Sequence, residues 1–214
     1  MDELRTSKLK PFFLPDAATA SGRIWFNDIN FRKGESYLIS AFSGQGKSSF
    51  LSFIFGERVD YTGDIYFDSR EIKTLKKTDW QNVRQKNISC VFQGLRLFSE
   101  LTTMENIQLK NKLTEYKSQE EIDCMIEQSG LQDKKNEKTG RLSFGQQQRI
   151  AIIRALCQPF DFILLDEPFS HLDEQNIEIM TELITKELKH RKAGMLLCSL
   201  GNGYLFSYNE KYKI

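Results

Sequence analysis

The stretch AFSGQGKSS, Ala41–Ser49, constrains the fold more than any other part of the chain. It follows the β-type run SYLIS and precedes KSSFLSFIFGE, whose spacing predicts a helix that ends near Gly56. Glycines in such a loop let the backbone pass close to another group, because no Cβ intervenes. The sequence therefore predicts a strand, a tight glycine-containing loop and a helix in direct succession.

This loop matches the phosphate-binding pattern G-x-x-x-x-G-K-[ST], except that Ala41 stands at the first position. Between a strand and a helix, successive backbone N–H groups converge on phosphate oxygens, and the helix adds its positive end. Lys47 is expected to reach the outer phosphates, and the Ser48 hydroxyl is expected to ligate Mg²⁺. We expect nine loop residues to bind a nucleotide: Ala41, Phe42, Ser43, Gly44, Gln45, Gly46, Lys47, Ser48 and Ser49.

The composition suits one large folded domain. Of the 214 residues, 40% are hydrophobic and 28% are charged, which is typical of a chain that buries a core. The formal net charge is +1, so we expect no nucleic-acid partner, because nucleic-acid binding requires a large positive field. No run approaches the roughly 18 apolar residues of a membrane span, and the N-terminus does not resemble a secretory signal. The four cysteines include no C-x-x-C pair, which is typical of a reducing, cytosolic environment.

Strands and helices alternate along the chain. FDFILLDEP and GMLLCSL are short apolar runs, typical of strands that are buried on both faces of a parallel sheet. The middle of the chain is helical in pattern, with Ser118 and Glu121 forming a capping box before apolar residues at helical spacing. We therefore predict an α/β fold in which a helical insert interrupts a parallel sheet.

The run FILLDE, Phe162–Glu167, delivers two acids at the end of a buried strand and resembles a Walker B motif. Asp166 would hold Mg²⁺ through water. Glu167 would point toward the γ-phosphate and polarise an attacking water molecule. The alternative is that the two acids only cap the strand.

The segment LSFGQQQR, Leu142–Arg149, resembles the LSGGQ signature of ATP-binding cassette (ABC) ATPases. The order of the motifs also matches that family: a phosphate loop, Gln93 after a strand, the signature, ILLDEP and then SHLD. The resemblance covers roughly residues 20–200. Within the family, a compact chain of this kind is similar to ATPase subunits of lipoprotein-release, peptide or macrolide export systems.

The resemblance implies an α/β P-loop NTPase fold of ABC type. This fold has a mostly parallel core sheet, an antiparallel β subdomain and an inserted helical subdomain. Residues 1–214 would form a single ABC ATPase domain, with a core of about residues 1–92 and 158–214 and a helical subdomain of about residues 94–157.

The resemblance also implies ATP and Mg²⁺ as cofactors. Glu167, Lys47 and Gln93 would be the catalytic residues of an ATPase that is coupled to transport. Ser48, Gln93 and Asp166 would surround the metal ion, and Gln93 would also touch the attacking water.

Two copies of an ABC ATPase domain meet head to tail, so the resemblance implies a homodimer in the ATP-bound state. Ser143 and the backbone of Gly145 would contact the γ-phosphate bound by the other copy, assisted by the helix that begins near Gln146. Asp173, in SHLD, would bridge the two copies, and it also fits the N-cap of the next helix. ATP would join the two copies and its hydrolysis would separate them.

Two departures from the family pattern bear on catalysis. Phe144 stands where the signature usually has glycine, so its ring must point away from the phosphate, either beneath the helix or toward the partner. Ser199 stands where the family places a histidine that contacts the γ-phosphate. Losing one preorganised donor costs about 10²–10³ in rate, or roughly 2.7–4 kcal/mol, so we expect slow hydrolysis.

A third departure concerns the adenine base, which the family stacks on an aromatic residue before the phosphate loop. Between Pro15 and Arg23 there is no aromatic residue. Phe12, Phe13 or Trp25 would serve if the register shifts, although core packing is the expected role of Trp25.

The family resemblance places an integral-membrane permease beside this chain, which would be cytoplasmic and peripheral on the inner face of the cell membrane. GLRLFSELTTMENI follows Gln93, where family members dock their permease. Leu95, Leu97, Phe98 and Leu101 would offer apolar contacts there, or would pack the helical subdomain.

Two further hypotheses remain open from the sequence. The chain could be a degenerate nucleotide-binding scaffold or regulatory subunit with little ATPase activity. Phe144, Ser199 and the missing aromatic residue before the loop favour this hypothesis, and the intact Glu167 opposes it. It could also be a soluble ABC protein acting in repair or translation, but such proteins usually carry two cassettes or long inserts.

Overall fold

A computed structural model describes residues 1–13, 24–40, 46–201 and 203–214. Five of the predicted nucleotide-binding residues lie outside the described residues: Ala41, Phe42, Ser43, Gly44 and Gln45. The stretch between Pro15 and Arg23 also lies outside them.

The centre of the molecule is a five-stranded sheet in the order β6-β7-β8-β3-β9. Every pairing in it is parallel. Its strands, in chain order, are β3 (Ser36–Ser40), β6 (Ile88–Val91), β7 (Phe162–Asp166), β8 (Gly194–Ser199) and β9 (Glu210–Lys213). This is the mostly parallel core sheet that the sequence predicts.

A second sheet of four antiparallel strands has the order β2-β1-β4-β5. Its strands are β1 (Glu3–Pro11), β2 (Ile29–Arg32), β4 (Tyr61–Phe67) and β5 (Arg70–Glu71). The turn at Lys33 and Gly34, where Gly34 has φ 85°, carries the chain from one sheet to the other. This sheet corresponds to the predicted antiparallel β subdomain.

Six α-helices are described: α1 (Lys47–Ile54), α2 (Lys77–Lys86), α3 (Thr103–Asn111), α4 (Gln119–Gln128), α5 (Phe144–Leu156) and α6 (Glu174–Arg191). Helix α4 begins with the predicted capping box, in which the Ser118 hydroxyl accepts from the Glu121 N–H. Helix α2 fully buries none of its residues, and two of its side chains, Trp80 and Val83, pack against the core, so its apolar pattern is short. Among the described residues, no helix is long and apolar enough to cross a membrane.

Two hydrophobic clusters cover the two faces of the parallel sheet, and consecutive residues of one strand enter different clusters. Leu164 and Leu196 pack with α1 and the antiparallel sheet. Leu165 and Leu197 pack instead with α5, α6 and the helical segment between β6 and β7. Both strands are buried along their whole length, and they are apolar except at their last residues, Asp166 and Ser199, as is typical of central parallel strands.

Replacing Gly63 by alanine is expected to destabilise the antiparallel sheet. Gly63 has φ +81°, and a Cβ there would lie 2.4 Å from the carbonyl oxygens of Ser7 and Lys8. The left-handed conformation alone costs about 1–2 kcal/mol, so Gly63→Ala should lower the free energy of unfolding by at least that amount in urea titrations. Gly94→Ala is the matched control, because its Cβ would meet nothing within 4 Å. Equal stability of the two variants would contradict the described packing.

The four free cysteines are expected to react with a thiol reagent at very different rates. Cys124 is exposed and Cys90 is half-buried, whereas Cys157 and Cys198 are buried. Burial raises the pKa of the Cys157 thiol to about 12, and it also raises the pKa of Cys198. Native protein should therefore label at Cys124 first, and at Cys157 and Cys198 only after unfolding. Mass spectrometry of labelled peptides measures this order, and early labelling of Cys198 would contradict it.

Candidate active site

The carboxyl ends of the parallel strands meet at one edge of the sheet, and the predicted site residues follow these ends. Asp166 is the last residue of β7 and pairs with Cys198 of β8. Ser199 is the last residue of β8 and pairs with Ser40 of β3. Gln93 follows β6 by two residues. Residues that are far apart in sequence are therefore neighbours at this edge.

Helix α1 begins here, directly after the loop that follows β3. Gly46 caps it with φ 101°, a left-handed conformation that favours glycine. The Lys47 side chain is only 5% exposed, and its Nζ lies 3.5 Å from Oε1 of Glu167. The lysine of the phosphate-loop pattern and the second acid of the Walker B pattern therefore lie next to each other.

Ser48 joins the other two predicted metal ligands. Its hydroxyl lies 3.4 Å from Oε1 of Gln93. Burial raises the pKa of Asp166, and a hydrogen bond from Ser48 partly offsets that effect. The three side chains thus bring oxygen atoms together at the N-terminal end of α1.

The Asp166 carboxylate tests whether this arrangement suits Mg²⁺. Its Oδ1 is buried and has no hydrogen-bond partner. An unsatisfied buried acceptor is costly, by about 1–3 kcal/mol or more for a charged group. A cation beside Asp166 would remove that cost, and oxygen atoms are the ligands that Mg²⁺ prefers. The site residues therefore fit the ion.

Glu167 has an unusual backbone conformation that neighbouring elements hold in place. Its φ is 48°, in the left-handed region that non-glycine residues rarely adopt. Its N–H donates to the Cys198 carbonyl at 2.9 Å, and the Gln148 side chain donates to its carbonyl at 3.3 Å. Strained residues of this kind cluster at active sites, where the surrounding structure determines their geometry. Strand β8 and helix α5 thus fix the backbone position from which the Glu167 side chain extends.

Two predicted binding residues are engaged by neighbours in the same chain. The Ser49 hydroxyl accepts a hydrogen bond from Nη1 of Arg58 at 2.8 Å. Ser199 is 1% exposed, and its hydroxyl accepts from the N–H of Gly201 at 3.3 Å. The Ser199 side chain is therefore buried in the position from which it would have to contact a nucleotide.

The signature residues form the N-terminus of α5. Ser143 is its N-cap and makes a capping box with Gln146, so the Ser143 hydroxyl accepts from the Gln146 N–H at 3.3 Å. Gly145 lies against the loop that follows β7, and a Cβ there would be 2.8 Å from the His171 carbonyl oxygen. Packing against the loop of the same chain thus leaves no room for a side chain at this position.

Phe144, the departure from the signature pattern, packs sideways on the same loop. Its ring meets the His171 ring edge to face, with centroids 4.4 Å apart and an interplanar angle of 60°. The Phe144 side chain stays 43% exposed. The ring thus lies on the loop after β7 and remains partly open to solvent.

Asp173 is the N-cap of α6, as its position in SHLD predicts. Its carboxylate accepts from the Asn176 N–H at 2.8 Å, and this hydrogen bond lowers the pKa of Asp173. Arg149, at the end of the signature segment, donates to Oδ1 of Asn176 at 2.7 Å. The start of α6 is thereby tied to α5.

Comparison with known proteins decides the family. Residues 26–170, more than half of the chain, match the family described as ABC transporter. The chain belongs to the ABC transporter family. It is an ABC ATPase, and the family resemblance seen in the motifs is confirmed.

Two curated relatives of this ABC ATPase illustrate the likeness. The ABC transporter ATP-binding protein YclH of Bacillus subtilis is 34% identical over 173 residues, which cover 78% of this chain and 75% of YclH. The lipoprotein-releasing system ATP-binding protein LolD of Buchnera aphidicola is 28% identical over 196 residues, which cover 84% of this chain and 86% of LolD.

Solved structures share the fold. The dimeric structure of MJ0796, described as a bacterial ABC transporter cassette, is 27% identical, with a TM-score of 0.76. The match covers 91% of this chain and 87% of that chain. A post-hydrolysis structure of MJ0796 bound to ADP and phosphate matches with a TM-score of 0.77 and 26% identity. The predicted ABC-type fold is confirmed.

The three aromatic candidates for adenine stacking in this ABC ATPase differ in solvent exposure: one is buried and two are exposed. Trp25 is 1% exposed and packs edge to face on Phe50, so it is a core residue, as expected. Phe12 is 64% exposed and Phe13 is 48% exposed. The Arg58 guanidinium lies 4.9 Å from the centre of the Phe13 ring. These two rings are the candidates that remain accessible.

The segment after Gln93 mixes buried and exposed apolar residues. Leu95 is buried in the core and Leu97 packs partly against it. Leu101 is half-buried. Phe98 is 59% exposed. Of the four residues named from the sequence, Phe98 therefore offers the largest accessible apolar surface.

Sequence reasoning missed Gln148, which is 1% exposed. It lies four residues after Phe144, on the face of α5 that looks toward the loop after β7, and it bonds to that loop at three atoms. A glutamine in the middle of an otherwise apolar buried face is the pattern that would have indicated it, because buried amides need partners.

Replacing Gly145 by alanine is expected to displace the loop around His171. The added Cβ would lie 2.8 Å from the His171 carbonyl oxygen, which is shorter than a real contact allows. Amide exchange in residues 169–172 should become about tenfold faster, equivalent to about 1.4 kcal/mol of opening free energy. Hydrogen–deuterium exchange without nucleotide measures this, with Gly94→Ala as the control. Unchanged protection in Gly145→Ala would contradict the contact.

Proposed function

We propose that this ABC ATPase binds and hydrolyses ATP as a homodimeric subunit that drives a membrane permease. The observation that carries the proposal is the contact of Lys47 with Glu167 at 3.5 Å, beside Asp166, at the carboxyl edge of the five-stranded parallel sheet. A cation for phosphate and a carboxylate for water activation are the two charges that phosphoryl hydrolysis requires.

Each side chain at this edge has a distinct proposed role. Lys47 neutralises the outer phosphates at the start of α1, where the helix end also favours negative charge. Glu167 accepts a proton from the attacking water, and Gln93 orients that water. Ala41, Phe42, Ser43, Gly44, Gln45, Gly46 and Ser49 are also proposed to contact the nucleotide.

Ser48, Gln93 and Asp166 are proposed to hold Mg²⁺. The bound ion would neutralise developing charge on the phosphate oxygens. The buried and unpartnered Oδ1 of Asp166 supports this assignment, because a neighbouring cation would satisfy it. Burial of the carboxylate also strengthens its attraction to a positive ion.

The active dimer is proposed to form head to tail around two ATP molecules. Ser143, Gly145 and Gln146 of one copy would contact the γ-phosphate held by the other, and Asp173 would lie at the boundary. Ser143 is exposed and caps the positive end of α5, which suits an anion from outside the chain. The dimeric structures of MJ0796 support this arrangement.

The partner in the membrane is proposed to be an integral permease. The exposed Phe98, together with Leu97 and Leu101 beside it, would face the permease from a helical subdomain of about residues 94–157. The remaining core would comprise about residues 1–92 and 158–214. This role would place the protein in the cytoplasm, at the inner face of the cell membrane, and a lipoprotein-release type is favoured by the likeness to LolD.

Hydrolysis is expected to be slow. Ser199 stands where the family pattern has histidine, its arm is shorter, and its side chain is 1% exposed. Loss of one preorganised donor predicts a turnover about 10²–10³ below that of a histidine-bearing cassette. Parallel phosphate-release assays of the two proteins measure the difference. Equal turnover would overturn the expectation of slowness.

Glu167→Gln is expected to abolish turnover and to trap an ATP-bound dimer. The amide keeps the size of the carboxylate but cannot accept the proton of water. Phosphate release should fall at least about 100-fold, while size-exclusion chromatography with ATP should shift from monomer to dimer. Lys47→Ala in the same background is the control that should not dimerise. If wild type and Glu167→Gln behave alike and neither hydrolyses ATP, the degenerate scaffold replaces the ATPase as the better function.

A further inference from the structure

The two aromatic side chains Phe144 and His171 connect the signature helix to the loop that follows Glu167. Their rings pack edge to face with centroids 4.4 Å apart. Phe144 is the first residue of α5, and His171 lies four residues after Glu167. The one residue by which the signature departs from its pattern therefore touches the segment that carries the proposed catalytic base.

The buried side-chain amide of Gln148 forms hydrogen bonds to the same loop. Nε2 of Gln148 donates to the Glu167 carbonyl at 3.3 Å and to the Ser170 hydroxyl at 3.0 Å. Its Oε1 accepts from the His171 N–H at 3.2 Å. Because Gln148 is 1% exposed, these bonds are shielded from water, and they anchor both ends of the segment from Glu167 to His171.

The His171 ring also takes part in this arrangement. Its Nδ1 lies 2.9 Å from the Ser170 hydroxyl, which also accepts from Gln148. The His171 ring is therefore held both by a polar contact within its own loop and by the ring of Phe144. An edge-to-face pair of this kind contributes beyond its buried area and has a preferred geometry, so it restricts the loop as well as covering it.

We propose that Phe144 is a positioning residue that acts inside its own subunit, through His171, to hold Glu167 in its productive place. The inference rests on the proposed function of Glu167 and deepens it. The left-handed backbone of Glu167 needs support from its surroundings, and the loop that leaves Glu167 is the part that α5 restrains. The competing possibility is that the exposed face of Phe144 acts on the second copy of the chain.

Removal of the ring should lower kcat and leave KM for ATP unchanged. Phe144→Ala and His171→Ala should each reduce kcat about two- to tenfold, the range expected for an aromatic pair. The double variant should lose no more than either single variant, since both remove the same contact. Phe144→Tyr keeps the ring and should retain activity. Leu113→Ala, at another exposed apolar residue, is the matched control.

Mixed dimers separate action inside the subunit from action on the partner. In the first mixture, the Phe144→Ala variant is combined with an excess of Glu167→Gln. The only site that can hydrolyse ATP in such a mixed dimer then has the Glu167 of the Phe144→Ala copy and the unaltered signature of the Glu167→Gln copy. In the second, reciprocal mixture, wild type is combined with an excess of the double variant Phe144→Ala/Glu167→Gln. The site that can hydrolyse ATP then has the Glu167 of the wild-type copy and the altered signature of the double variant. Wild type mixed with excess Glu167→Gln sets the reference rate.

The inference predicts that the first mixture is slow and that the second matches the reference. The opposite result, a normal first mixture and a slow second one, overturns it and assigns Phe144 to the partner's site. Additive losses in the double variant, or a raised KM, also overturn it. If the wild type does not hydrolyse ATP at all, the proposed function itself fails. If the wild type works and no Phe144 variant differs from it, only the inference fails.

Discussion

The parallel register of β7 and β8 is the constraint on which the site depends. Because β7 pairs with β8 and β8 with β3, the strand ends align and Asp166 and Glu167 emerge beside the start of α1. Both strands are buried on both faces, and their alternate residues belong to different hydrophobic clusters. A slip of one residue would therefore move every side chain of the strand to the opposite face, where it would not fit its new neighbours. Core packing thus fixes the 3.5 Å approach of Lys47 to Glu167.

Helix α5 extends this constraint to the opposite side of Glu167. Its first turn carries the signature, and its buried face holds the loop after β7 through Gln148. The helix that carries the signature residues proposed to contact a second copy therefore also supports, inside its own chain, the loop that follows β7. If the proposed roles hold, this contact is a physical connection between the signature of a subunit and the Glu167 of the same subunit.

The sequence predicted the central strands well, because their patterns are local, and it named the residues that the structure brings together at the ends of these strands. FILLDE and the capping box at Ser118 appear in the structure where they were expected. Helix α2 is not among the sequence predictions, because no residue of it is fully buried and Trp80 and Val83 are too few to make a helical pattern. The contact of Phe144 with His171 joins positions 27 apart, and such contacts are not visible in periodicity. The same holds for the left-handed backbone of Glu167, which adjacent elements impose.

The central claim is that the edge formed by these strand ends binds a magnesium nucleotide through the start of α1. Isothermal titration calorimetry with ATP and magnesium measures it most directly, with Lys47→Ala titrated in parallel. The account predicts saturable heat for the wild-type protein below millimolar nucleotide and a large loss of affinity in Lys47→Ala. Absence of binding by the wild type at millimolar nucleotide would contradict the account and leave only the fold.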